Sequence, residues 1–456
     1  MNQAAAAAGA KIGASITPMR EGVLRVWRHA ALLSLGAGLT VLTASAPTLY
    51  HQLGDWALIV LFAVCGLSAY TASRLNPGRA EHSALVIILC SAAAMRLGLL
   101  VADPYLSSDI YRYVWDGRVT AADINPYRFV PNAPELQPLR DAAIWPHINR
   151  ADTAVTIYPP VAQGFFLGVT RFGESVLAMK IGLLSFEVIG VTALLFHLKR
   201  QAMPLTRIAA YAWHPLPIVE IAGNGHVDAV MSTLLILGLL VYFHGRTLLA
   251  VVIITLGALV KPTALLALPV FWRPWNWQLP LAVAATILIA YLPFLSVGWG
   301  ALGFLPGYIQ EEGLASGDGF RLLWLLQSVT GPLSHSVPVY LAASALALAA
   351  LSVAIGFRRD RSEQAAIRAL GWLLIAFLIL SSPHYPWYFL VLVPFLALSP
   401  SATASVLTIG SALIYGGLPS YDAGIALFTA ATLAALAFDV WREFKTPVLS
   451  NVAATA

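Results

Sequence analysis

The stretch SSDIYRYVWDGR, Ser107 to Arg118, gathers two carboxylates, two arginines, two tyrosines and a tryptophan in a chain that is only 11% charged. A carboxylate at a water boundary can take a proton from an incoming hydroxyl. A guanidinium can neutralise an anion, and aromatic faces can carry a sugar ring. From Ser108 onward the order of residues permits a helix, with Ser107 or Ser108 as its cap and Asp109 in its first turn. Asp109, Arg112 and Asp116 then fall on one side, at i, i+3 and i+7. The same spacing also suits an ion-paired surface helix, and the stretch alone leaves both readings open.

Other polar groups stand out against the apolar background. AGNGHVDA places Asn224, His226 and Asp228 in one turn, where they either cap the next helix or line a site. EEGLASGDGF is an acidic loop followed by Arg321, and SPHYPWYFLVLVP carries His384, Tyr385, Trp387 and Tyr388. An aromatic belt explains the tryptophan and tyrosines there, while His384 adds a hydrogen-bond donor for a phosphate. Lys261, inside an apolar run, is costly unless it faces a partner or a polar cavity. Its expected roles are neutralising a buried acid such as Glu187 or meeting an anionic headgroup. Arg96 is expected to snorkel, and Glu187 and Glu220 to make structural pairs.

These residues need elements to hold them. With 59% hydrophobic residues and a mean hydropathy of +0.75, the chain reads as an all-α polytopic membrane protein. Spans are expected at 30–47, 56–73, 84–101, 176–197, 205–222, 226–243, 278–297, 337–356, 367–382, 386–399, 403–418 and 421–441. The Pro-interrupted stretch 247–272 is expected to form a re-entrant pair, because each half is too short to cross. That choice puts Arg74/Arg79, Lys199/Arg200/Arg207, Arg246, Arg273, Arg358/Arg359/Arg361/Arg368 and Arg442/Lys445 on one face, which the positive-inside rule makes cytoplasmic. Residues 1–29 form a cytoplasmic tail with no removable signal peptide expected, 30–441 a single transmembrane catalytic domain, and 442–456 a second cytoplasmic tail. Segments 102–175 and 298–336 lie outside, the first far longer than an ordinary loop and rich in aromatics, Tyr158 among them. Its apolar piece 157–172 is expected to lie along or dip into the outer interface. The net charge of +5 lacks an aromatic-interleaved basic stripe, so no nucleic-acid partner is expected, and Cys65 and Cys90 lie in apolar spans.

SDIYRYVWDGRVTAADINPY, followed by TIYPP, NGHVDA, VKPTALLALP and HYPWYFLVLVP, resembles the GT-C superfamily of multi-span glycosyltransferases over about residues 84–400. It is most similar to bacterial polyprenyl-phosphate-mannose-dependent mannosyltransferases, and more distantly to the catalytic subunit of GPI mannosyltransferase I. The resemblance implies a GT-C-type fold and makes Asp109 the catalytic carboxylate. It places donor-phosphate contacts near Lys261 and His384. Eukaryotic relatives carry a second acid two residues after the first. Here that position is Tyr111, so no Asp-x-Asp metal site and no cofactor are expected.

Transfer from a lipid carrier also suits the residues themselves. Nucleotide sugars stay in the cytoplasm, no Gly-rich phosphate loop is present, and the polar groups gather outside. The expected partners are a polyprenyl-phosphate-linked sugar, a glycan or lipid acceptor, and membrane lipids. Asp109 is the expected base of an inverting transfer. Arg112, Lys261, Arg321 or His384 would supply positive charge or hydrogen bonds, with Asp116, Tyr158, Asn224, His226, Asp228 and Tyr385 completing the substrate contacts. A secondary transporter, with ionisable groups at mid-membrane, and an O-antigen-type ligase or polymerase are the competing readings.

Overall fold

The computed structural model describes residues 27–445 apart from 76–77, 79–80, 312, 314–315, 318 and 417–419. The tail residues 1–26 and 446–456, Arg79, and Glu312 and Asp318 of the acidic loop lie outside the described residues. Among the described residues seven helices are long and apolar enough to cross a membrane, or eight when a bent pair is taken as one span. The chain is an integral membrane protein. The bent pair is α1 (Trp27–Ala44) and α2 (Ala46–Leu53), which meet at 56° where Pro47 enters the first turn of α2. Next come α3 (Asp55–Ser73) and α4 (Glu81–Leu100), then α5 (Asp109–Ala121), α6 (Pro160–Thr170) and α7 (Val176–Arg200). The shorter α8 (Asp228–Phe243) and α9 (Thr247–Ala258) form a hairpin whose turn uses Gly245 at φ +77°. The remaining long helices are α10 (Gln278–Leu302), α11 (Ser336–Gly356), α12 (Glu363–Ser381) and α13 (Tyr421–Lys445).

Four of the twelve expected spans are not long helices. Span 226–243 is the short α8, while 386–399 and 403–418 are short apolar helices, Pro386–Leu398 and Ala402–Tyr415. Span 205–222 breaks into a 3-10 turn, a single α turn at Ala209–Ala212 and a π-helical segment, Pro217–Gly223. These broken pieces are the centre of the molecule. Every residue from Ile208 to Thr233 is buried, as is every residue from Phe389 to Leu398. Irregular backbone is tolerated at membrane depth where protein surrounds it. The long α10 and α11, by contrast, have few buried positions and face outward.

The stretch 247–272 does return on itself. α9 rises from Arg246, the chain turns at Lys261, and Pro262–Phe271 descends until Leu268 and Trp272 share a groove with Val251, near the start of α9. The Trp272 carbonyl accepts from Arg361 (3.2 Å), and Glu363 at the head of α12 accepts from Arg200 and from Gln201 (2.6 Å) at the foot of α7. Thr206 donates to the Leu75 carbonyl (2.8 Å). The Lys/Arg-rich connections therefore gather at one end of the bundle, and Asp109 lies at the other.

Two intramembrane charges find partners that hydropathy does not reveal. Arg96 does not snorkel. It makes a two-pronged pair with Glu187 (2.9 and 2.7 Å) and donates to the Ala212 carbonyl (2.8 Å), tying α4 to α7 and to the central segment. Glu187 is thereby the structural acid expected of it, and Lys261 is left to pair elsewhere. Lys180 of α7, fully buried, donates to the Leu99 and Ala102 carbonyls (3.2 and 2.6 Å). It satisfies acceptors that the end of α4 leaves open and fixes the point from which the chain runs toward Asp109.

Of the two readings left open for this stretch, an ion-paired surface helix is not what forms: α5 is buried. In α5, Ile110 and every residue from Arg112 to Val119 are buried. α6 covers it, with Tyr113 stacked on Phe166 at 4.7 Å. The helices close tightly because position 117 is glycine: a Cβ there would sit 2.6 Å from the Phe166 carbonyl oxygen.

Candidate active site

α5 begins where Asn224 has pinned the preceding strand of chain. The Asn224 Oδ1 accepts from the Tyr105 and Leu106 amides (3.1 and 2.9 Å), and its own amide donates to the Val219 carbonyl (3.0 Å). The N-cap position of α5 is Ser108, without a side-chain bond, and the Ser107 hydroxyl accepts the Asp109 N–H at 3.2 Å. Gly225, at φ +77°, lies so close to Ile110 that a side chain there would overlap it. The NGH turn and the start of α5 are thus built against each other.

Asp109 is held with one oxygen fixed and the group partly open. Its Oδ1 accepts from Asn149 Nδ2 at 2.8 Å, its Oδ2 lies 4.0 Å from His226 Nδ1, and the side chain is 22% exposed. His226 is wholly buried, and its Nε2 lies 3.4 Å from Glu220 Oε2. Its ring stacks on Trp387 (4.1 Å), which stacks on Tyr385 (4.4 Å), a residue 40% exposed. An aromatic ladder therefore descends from the surface to the carboxylate.

Arg150 lies within electrostatic reach of Asp109, and Lys261 within reach of its neighbour His226. Lys261, at the re-entrant turn, donates to Asp228 Oδ2 at 2.6 Å and lies 5.0 Å over the Tyr388 ring. Its buried acid is Asp228 in place of the expected Glu187, because α8 and α9 run side by side and bring both residues to the same end of the hairpin. Arg150 pairs with Glu311 at 2.6 Å and lies within electrostatic reach of Asp109 and Tyr385. Burial opposes its charge, but Glu311 and Asp109 outweigh that and hold the guanidinium above its usual range. Tyr388 is within reach of Asp109, Asp228 and Arg150 together.

Other expected site residues stand further back. Arg112 Nε donates to Asp116 Oδ1 (2.8 Å), and both of its terminal nitrogens donate to the Ala154 carbonyl (3.1 Å each). Asp116 also accepts from Gln163 (3.2 Å). Tyr158 packs edge-on against Tyr113 at 4.9 Å. Burial, and next the charge of Asp109, keep both phenols well above the usual tyrosine range, so each retains its proton. Arg321 donates to the Pro383 carbonyl (3.0 Å) and its amide to the Ser382 hydroxyl (3.1 Å), holding the turn that presents His384. Gly319 packs directly against His384. Among the described residues no three His, Cys, Asp or Glu side chains are grouped to hold a metal ion, and Tyr111 stacks on His147 at 4.6 Å.

Sequence reasoning missed Asn149 and Arg150, and treated Glu220 as merely structural. HINRADT carries no pattern that would single out the first two. They arrive because the chain between α5 and α6 folds back over the helix, with Arg150 itself at φ +52°. A polar cleft of about 790 Å³, lined in part by Asp103, Ser107, Tyr111, His147 and Glu174, opens beside the start of α5. An apolar groove of about 550 Å³, lined by Val251, Leu268, Val283, Ile287 and Val353 among others, flanks the re-entrant pair.

No solved structure matches the chain. The alpha-(1->6)-mannopyranosyltransferase A of Mycobacterium tuberculosis (strain ATCC 25618 / H37Rv) is 24% identical over 340 residues, a stretch covering 64% of this chain and 61% of the relative. Residues 3–285, more than half of the chain and all of the segment that builds Asp109, His226, Asp228 and Lys261, match the family described as alpha-(1->6)-mannopyranosyltransferase, N-terminal domain. On that match, and on the motifs that resemble polyprenyl-phosphate-mannose-dependent GT-C enzymes, the chain belongs to this mannosyltransferase family.

Proposed function

We propose that the protein transfers a mannosyl residue from a polyprenyl-phosphate carrier to a glycan or lipid acceptor at the extracytoplasmic membrane face, with inversion and with Asp109 as general base. One observation carries the reading: a partly exposed carboxylate, oriented by Asn149, stands at the foot of an aromatic ladder and within electrostatic reach of Arg150. The acceptor O–H bond breaks and its proton passes to Asp109. The acceptor oxygen bonds to the anomeric carbon while the bond to the carrier phosphate breaks on the opposite side. Negative charge grows on the departing phosphate, where Lys261 and Arg150 lie ready to neutralise it. Trp387 and Tyr385 offer faces to the sugar.

A positioned base contributes about 10²–10⁴-fold to rate. Asp109→Asn is therefore expected to lower mannosyl transfer by at least about 100-fold, with the purified protein keeping its melting temperature. Transfer of radiolabelled mannose from polyprenyl-phosphate-mannose measures this. Wild-type turnover by Asp109→Asn would remove the base from the scheme.

A further inference from the structure

Behind Asp109 the chain encloses a second acid that the transfer reaction as described above does not use. Glu220 lies on the π-helical segment Pro217–Gly223, fully buried, with Oε1 accepting from the Tyr415 hydroxyl at 2.7 Å. Its Oε2 has no hydrogen-bond partner, and neither do the two ring nitrogens of His226. All three atoms are removed from solvent, where an unmade hydrogen bond is expensive. The imidazole lies between the two carboxylates, Nδ1 toward Asp109 at 4.0 Å and Nε2 toward Glu220 at 3.4 Å. Trp387 covers its face and fixes the ring plane. Lys261, paired to Asp228, is the cation whose charge acts on the ring from the re-entrant turn.

We propose that Asp109, His226 and Glu220 form a proton relay in which the proton taken from the acceptor hydroxyl passes through the imidazole to the buried Glu220. The inference rests on the base role of Asp109. In the resting relay the imidazole is neutral, with its proton on Nε2. When Asp109 Oδ2 gains the acceptor proton, it passes that proton to Nδ1, and Nε2 gives its own to Glu220 Oε2. Asp109 is again a carboxylate, Glu220 is a neutral acid, and the ring has exchanged one tautomer for the other. The proton retraces the path when products leave. Bonds of this kind are often long before substrate binds and shorten in the reacting complex. The relay lets Asp109 remain anionic beside the sugar while positive charge builds at the anomeric carbon.

His226 is a positioning residue here, sealed from substrate by Trp387, and its effect is read in kcat. Full-length His226→Asn, Glu220→Gln and the double variant are assayed with polyprenyl-phosphate-mannose across pH, alongside thermal melts. Each single variant is expected to lower kcat at least about tenfold, a fraction of what a general base contributes, with KM for donor and acceptor within about twofold. The double variant is expected to be no slower than the slower single, because one path is cut either way. The pH dependence of kcat is expected to change with each. If the buried substitutions prevent folding, Tyr415→Phe strips one hydrogen bond from Glu220 from outside the relay and is expected to displace the pH profile of kcat without altering KM. Wild-type kcat in Glu220→Gln, additive losses with an unchanged pH profile, or an unmoved profile in Tyr415→Phe would overturn the relay. Loss of activity in Asp109→Asn alongside normal Glu220→Gln sinks the relay only; normal activity in Asp109→Asn sinks the base role beneath it.

Discussion

Arg112 donates from Nε and from both terminal nitrogens into the protein interior, to Asp116 and to the Ala154 carbonyl. Its side chain is 6% exposed and that of Asp116 is 2% exposed. Removing one member of a buried pair strands the other charge, at a cost of about 3–5 kcal/mol. Arg112→Ala is therefore expected to lower the melting temperature in detergent sharply, whereas Asp109→Asn leaves it near the wild-type value. If Arg112→Ala melted normally and instead raised the KM for the lipid donor, Arg112 would be a phosphate contact. The i, i+3, i+7 spacing was legible in the sequence. Which of the three residues would turn inward was not, because Ala154 and Gln163, which receive the inner pair, lie beyond the end of the helix.

At the scale of elements, the site depends on how α5 meets the 217–225 segment. Gly225 takes a left-handed φ and leaves no space for a Cβ beside Ile110. Gly225→Ala must strain the turn and push the start of α5 away, and displacement of a reacting group by about 1 Å can cost 10²-fold in rate. A fall in kcat of at least about tenfold is expected, compared with Gly164→Ala on α6, where a Cβ would meet nothing within 4 Å. Equal activity in the two variants would show that α5 tolerates the shift. The sequence marks NGH as a turn between apolar runs. It does not reveal that this turn is the seat of another helix that begins at Asp109, far earlier in the chain, since the match of Gly225 to Ile110 arises only when distant segments pack.

Across the whole molecule, charge is sorted by end. Arg200, Thr206, Arg361 and Glu363 interlock at one pole, while Asp109, Lys261 and Arg150 lie at the other. Short loops rich in Lys and Arg are retained inside, so the Asp109 pole is expected to face out. With Cys65→Ala and Cys90→Ser as background, Ser107→Cys should react with a membrane-impermeant thiol reagent in intact cells. Arg359→Cys should react only after permeabilisation. The reverse pattern would place the proposed chemistry on the wrong side of the membrane for a lipid-carried donor.

Membrane residence and most of the long spans were determined by the sequence on its own. The bilayer sorts residues along one coordinate, depth, so a run of apolar residues and a count of flanking charges already carry that information. Partnership is not sorted that way. Arg96 meets Glu187 across 91 positions, Asn149 reaches Asp109 across 40, and Lys261 finds Asp228 across 33. In each case several residues of the right charge were on offer along the chain. Tertiary packing chose among them, because a buried charge is stable only beside the partner that the surrounding helices bring to its own depth and face.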